Sequence, residues 1–140
     1  MRKSVYAIAL VICATVVGVA SAASKGRVTV ANSMPVVVKT VPQSGNTEFA
    51  PGTAELRVTF SKDMQDQSWS FTEIDGVKFP EIIGKIRYLA DKRTCVVKVK
   101  LEPNTTYASY LNSAKFGNFR DADGRPAQPY LLIFETASAE

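Results

Sequence analysis

The chain has 140 residues, 46% of them hydrophobic and 21% charged, with a formal net charge of +4, two cysteines and no histidine. That length suits one domain with one core, and the missing histidine removes the usual general base, the commonest metal ligand and every His-dependent nucleophile pair. No spacing of carboxylates, lysines or serines singles out a catalytic set, so neither an enzyme nor a cofactor is expected.

Residues 1–22 read as a cleaved secretory signal peptide. Arg2 and Lys3 precede an apolar run from Val5 to Val19, and Ala20-Ser21-Ala22 supplies the small residues of a cleavage site. The run from Val5 to Ala20 is 16 residues long, short of the roughly 20 that a membrane span needs. Cleavage there leaves 118 residues, 15 basic against 13 acidic, with no stable membrane span. So small a surplus of positive charge makes no case for nucleic acid. The expected location is periplasmic, secreted or at the cell surface. Cys13 leaves with the signal and Cys95 stays alone, so no intramolecular disulfide is available to the exported domain.

Residues 23–34 are small and polar apart from Val28 and Val30 and read as a flexible lead-in. Beyond them, short runs rich in β-branched and aromatic residues alternate with turn signals, the pattern of an all-β sandwich or barrel. Val36 to Val41 is the first strand, closed by Pro42 and Ser44-Gly45-Asn46. Pro51-Gly52 introduces Ala54 to Phe60, where Leu56, Val58 and Phe60 alternate with Glu55, Arg57 and Thr59, so one face is buried and one wet. Ser68 to Thr72 carries Trp69 and Phe71, which suit either a binding surface or packing, Trp69 most simply as the core tryptophan of a sandwich. Val77 to Phe79 follows the Asp75-Gly76 turn and stops at Pro80.

Lys85 to Leu89 is expected to pair with Cys95 to Leu101 as a hairpin across Asp91 to Thr94. A single core puts Ile86, Tyr88, Cys95, Val97, Val99 and Leu101 inward. Lys85, Arg87, Lys98 and Lys100 then converge on the outer face. Leu101, Pro103 and Tyr107 form a tyrosine corner, a folding device in which the Tyr107 hydroxyl bonds backbone a few residues upstream. Tyr107 to Leu111 is the next strand, Ser113 to Pro129 a long polar-aromatic connection framed by Asn112 and Tyr130, and Tyr130 to Phe134 the last strand, before a polar tail at 137–140. The total is about seven strands, an immunoglobulin-like Greek-key β-sandwich over residues 35–136.

Five short motifs occur in order: Pro42-Gln43-Ser44-Gly45, Phe60-Ser61-Lys62-Asp63-Met64, Leu101 to Tyr107, Asp121-Ala122-Asp123-Gly124 and Phe134-Glu135-Thr136. Together they resemble the bacterial Ig-like domain of the surface-layer-protein type. Its pattern runs P-x-x-G, F-S-x-x-M, L-x-P-x-T-x-Y, D-x-x-G and F-x-T. The resemblance spans about Pro35 to Thr136 and implies a fold and an exported, cell-envelope setting. It supplies no shared catalytic residue, and its members are mostly modules of surface, adhesive or carbohydrate-active proteins. Asn104 stands where glycine is common, and asparagine tolerates the same left-handed turn.

Function is therefore expected to be binding or structural. Two surfaces are candidates. Phe116, Phe119, Arg120 and Tyr130 sit in or beside the long connection, where aromatics among polar residues suit a sugar or peptide, or else cap the end of the sandwich. Lys85, Arg87, Lys98 and Lys100 suit an anionic cell-wall polymer or an acidic patch of an envelope protein, or else only keep the sheet soluble. Asp121 and Asp123 resemble half of a calcium loop, but Arg125 and Pro126 occupy positions where further oxygen ligands belong. A turn is the simpler reading, and no metal is expected.

Overall fold

The computed structural model describes residues 26–140, so the signal peptide expected at 1–22 lies outside the described residues. Eight strands follow in order: β1 (Val37–Val41), β2 (Gly52–Phe60), β3 (Phe71–Thr72), β4 (Glu81–Ile82), β5 (Arg87–Tyr88), β6 (Thr94–Leu101), β7 (Thr106–Leu111) and β8 (Tyr130–Glu135). They build two antiparallel sheets. One runs β1-β2-β6-β4, with β5 also on β6, and the other runs β3-β7-β8. Counting β4 and β5 as one interrupted edge strand gives the four-plus-three arrangement of an immunoglobulin constant-type sandwich.

The long strands are where the alternation is cleanest. Leu56, Val58 and Phe60 of β2 and Cys95, Val97, Val99 and Leu101 of β6 all face one core, and they meet Tyr107, Leu111, Leu132 and Phe134 from the opposite sheet. Each such side chain contributes about 1.5–3 kcal/mol on burial, which suits a domain whose cysteine is unpaired. Ile86 and Tyr88 turn toward the same core and are half-buried, as the alternation requires.

The middle of the chain departs from the expected strands. Only Phe71 and Thr72 of the Ser68–Thr72 run pair, against Leu111 and Tyr110. Val77 to Phe79 is not a strand; Lys78 makes a single bridge to Tyr107 before the chain crosses sheets at Pro80 and pairs as Glu81–Ile82. Trp69 is not a core tryptophan either. It is half-buried, packed against the core from its margin. Proline ends the ladder at Pro80 because it cannot donate, and the crossing leaves both flanking edges short.

The start of the described chain is tied down. Thr29 to Ser33 forms a turn in which Ser33 N–H donates to Thr29 O at 3.0 Å. The Lys62 ammonium donates to Ala31 O at 2.8 Å and Ser33 O at 2.9 Å.

Candidate functional site

The tyrosine corner is present. The Tyr107 hydroxyl accepts from the Glu102 N–H at 2.8 Å, its ring stacks on Phe134 at 5.6 Å, and Asn104 takes a positive φ of 48°. Thr136 locks the corner from the other side: its hydroxyl donates to Glu102 O at 2.6 Å and accepts from Thr105 N–H at 3.0 Å. Leu101, Pro103 and Tyr107 are thus structural, and attention moves to the surfaces around them.

The four residues proposed for an aromatic loop site do not meet. Phe119 is a core residue with 0% exposure; its ring packs on Phe60 at 5.1 Å and on Phe71 at 5.2 Å. A ligand at the surface cannot touch it. Arg120 is half-buried and donates to Gly124 O at 3.0 Å, closing the Asp121 turn. Tyr130 pairs with Leu111 and packs against the core beside β1. Phe116 alone projects into solvent, at 52% exposure.

What Phe116 joins is a different set. It lines an open groove of about 520 Å³, whose other apolar walls are Trp69, Phe71, Phe79, Ile82 and Ile86. Ser70, Thr72 and Glu73 supply its polar groups. The groove lies where the two sheets part, between the free edge of β3 and the edge formed by β4 and β5. At the Trp69 end the Tyr88 hydroxyl reaches Ser68 O across the gap at 3.4 Å. Its volume falls within the usual range for ligand clefts. Sequence reasoning missed this set because its members come from interrupted edges, where neither a period of two nor a turn signal marks which side chains face each other.

The basic face is real but less uniform than expected. Lys85, Arg87, Lys98 and Lys100 are all exposed on the outer side of the larger sheet. Arg87, however, ion-pairs with Glu55 at 3.6 Å, and Arg57 meets the same carboxylate at 2.9 Å. The register sets Lys98 opposite Glu55, and Lys100 between Thr53 and Glu81. Arg87 itself faces Val96, not a lysine. Lys85, Lys98 and Lys100 form no ion pair among the described residues. Val96 is buried on that outer side, flanked in register by Arg57 and Arg87, whose stems can cover it.

A family model for the bacterial Ig-like domain matches residues 31–136. The chain belongs to that family. Domains of the bacterial Ig-like family are typically non-catalytic extracellular modules. No curated protein matches the chain.

In this Ig-like domain the Asp121 loop, half of a calcium motif by sequence, is filled by cations of the protein itself. Asp121 is 0% exposed. Its Oδ2 takes the Lys62 ammonium at 2.8 Å and the Arg125 guanidinium at 3.3 Å, while Oδ1 accepts the N–H groups of Asp123 at 3.0 Å and Arg125 at 2.8 Å. Burial pushes the Asp121 carboxyl up, but the hydrogen bonds from Lys62 and Arg125 outweigh it and hold the group below the usual carboxylate range. Asp123 pairs with Arg125 at 2.6 Å. No cluster of three or more metal-ligating side chains exists among the described residues.

The last candidate is the thiol. Cys95 lies inside the sandwich, and burial pushes it up to about 12. It is protonated and shielded, which is the wrong state for a nucleophile.

Proposed function

We propose that this chain is a non-enzymatic, exported Ig-like module that binds a partner at the cell envelope, and that it does so through the groove between the sheet edges. The observation that carries this reading is Phe116, a large aromatic side chain held in solvent at 52% exposure on the rim of an apolar cleft. A domain that only filled space would gain by turning that ring inward, as it does with Phe119. The surface-layer type of the resemblance agrees with an envelope setting, and the family supports a module without chemistry of its own.

Retention of the purified, tagged protein on an isolated envelope fraction tests the proposal. Phe116→Ala should reduce retention at least severalfold while leaving the melting midpoint within about 2 °C, since exposed side chains contribute little to stability. Equal retention of both proteins would refute the groove as the binding surface.

A second reading has its own observation: Lys85, Lys98 and Lys100 form no ion pair among the described residues, which favours an anionic glycan or peptidoglycan-linked polymer. Replacing Lys98 and Lys100 by Glu should then abolish retention on purified cell-wall polysaccharide at low salt, where surface charges are least screened. Unchanged retention would return those lysines to a solubilising role.

A further inference from the structure

Resting on the groove assignment above, we propose that its occupant is an extended, acidic-flanked peptide segment that adds as a strand to the free edge of β3. The antiparallel ladder between β3 and β7 supplies the first argument. Phe71 pairs with Leu111 and Thr72 with Tyr110, and Asn112 N–H donates to Ser70 O at 3.1 Å. Residues directly opposite alternate between hydrogen-bonded and non-bonded pairs. Ser70 and Thr72 therefore turn their backbone groups toward β7, and Phe71 turns its N–H and C=O the other way, into the groove. Neither group of Phe71 has a partner among the described residues. The smaller sheet ends at β3, so this edge has no neighbouring strand among the described residues.

The opposite wall repeats the pattern. Ile83 N–H donates to Lys98 O at 2.9 Å, which by the same alternation leaves the backbone groups of Ile82 facing away from β6. The groove is thus a slot between two sheet edges, with apolar side chains for walls and backbone donors and acceptors along them. Small molecules are held by a few convergent side chains; an extended chain is held by main-chain bonds, with alternate side chains in pockets. Phe71 supplies the first main-chain pair, and the space between Trp69, Phe79, Ile86 and Phe116 receives an apolar side chain.

Charge selects the kind of peptide. Lys85 directly precedes the groove residue Ile86, Lys115 directly precedes Phe116, and Gly84 brings the chain against the Lys98 side chain. Lys85, Lys98, Lys100 and Lys115 have no ion pair among the described residues. Against these four stand Glu73, which lines the groove, Glu81, which faces Lys100, and Glu55, which faces Lys98 but is already shared by Arg57 and Arg87. The surplus is positive, so acidic flanks are favoured and basic ones repelled.

The probe is a nine-residue acetylated and amidated peptide of alternating valine and threonine with two acidic residues at each end. Titrated into the isotopically labelled protein, it should shift the backbone amides of Phe71 and Glu73 and slow hydrogen exchange at Phe71. The same peptide with lysines at its ends should bind at least about tenfold more weakly at low salt and converge with the first at high salt. N-methylation of one alternate set of residues should weaken binding about tenfold, the upper worth of one backbone hydrogen bond, and methylation of the other set should not. No response at millimolar peptide, or equal sensitivity to both methylation sets, would overturn strand addition. Glycan-strand fragments that shift Phe116 and Trp69 without protecting the Phe71 amide would assign the groove to a sugar instead. Envelope retention that depends on Phe116 while these peptides fail would refute this inference alone; retention indifferent to Phe116 would refute the groove itself.

Discussion

Replacing Asp121 by Asn removes one charge from the most buried ionic group described. The amide keeps an oxygen for the Asp123 and Arg125 N–H groups, which reach Oδ1 at 3.0 and 2.8 Å. Its nitrogen then points at the Lys62 ammonium and the Arg125 guanidinium, donor against donor. Removing one partner of a buried ion pair costs about 3–5 kcal/mol, because the other charge is left uncompensated. The cost here is about 2–4 kcal/mol, since Lys62 keeps the Ala31 and Ser33 carbonyls and Arg125 keeps Asp123. For a domain of this size the loss lowers the melting midpoint by about 10 °C. Urea titration read by the single tryptophan, Trp69, measures it.

The pH dependence follows from the same contacts. Asp121 is held below its ordinary range in the folded state, so its stabilisation is complete above the unfolded value near pH 4 and is lost as pH falls through the folded value. Wild type and Asp121→Asn should differ most at neutral pH and converge in strong acid. A neutral-pH loss below about 0.5 kcal/mol, or a gap that stays constant down to about pH 2, would refute the assignment of Asp121 as a charged keystone.

Four further substitutions or probes have defined outcomes. Tyr107→Phe leaves the Glu102 N–H without its acceptor and should cost about 0.5–1.5 kcal/mol by denaturant unfolding, with no change near zero tolerated. Asn112→Ala should cost at least about 2 kcal/mol, because the buried amide donates to Phe119 O at 3.0 Å and Ala127 O at 2.9 Å and accepts from Phe119 N–H at 2.9 Å; Phe116→Ala on the same connection should stay within about 0.5 kcal/mol. The Cys95 thiol should react with a maleimide only at the rate of unfolding, and fast labelling of the native protein would contradict its burial.

Most of the fold was legible because the long strands obey simple periods. The alternation of Leu56, Val58 and Phe60, and of Cys95 through Leu101, leaves one face for the core, and β2 then pairs with the whole of β6 from Gly52 to Thr59. Each of the five short motifs has a contact that explains it. Gly45 of P-x-x-G takes a positive φ of 90° and its N–H donates to Ile133 O at 2.7 Å. Ser61 accepts from Val36 N–H at 3.1 Å. Thr136 of F-x-T closes the tyrosine corner. Spacing alone conveys that such residues recur, whereas the pairing of Thr136 with Glu102 is a tertiary fact.

The candidate site was less legible for a physical reason that separates Phe116 from Phe119. Both are phenylalanines on one connection, three residues apart, and no local pattern distinguishes them. What decides is Asn112, whose left-handed backbone (φ 60°) and three amide bonds draw Phe119 under the end of the sandwich. Phe116 lies in the turn that Ser113 closes, where Phe116 N–H donates to its hydroxyl at 3.2 Å, and from that turn its ring lines the same groove as Trp69 and Ile86. An asparagine at a strand end is the available sequence signal, because it tolerates a positive φ and can bond the backbone that follows. Taken as the anchor of the connection rather than as its first polar residue, Asn112 assigns the inward aromatic to the core and leaves the other in solvent.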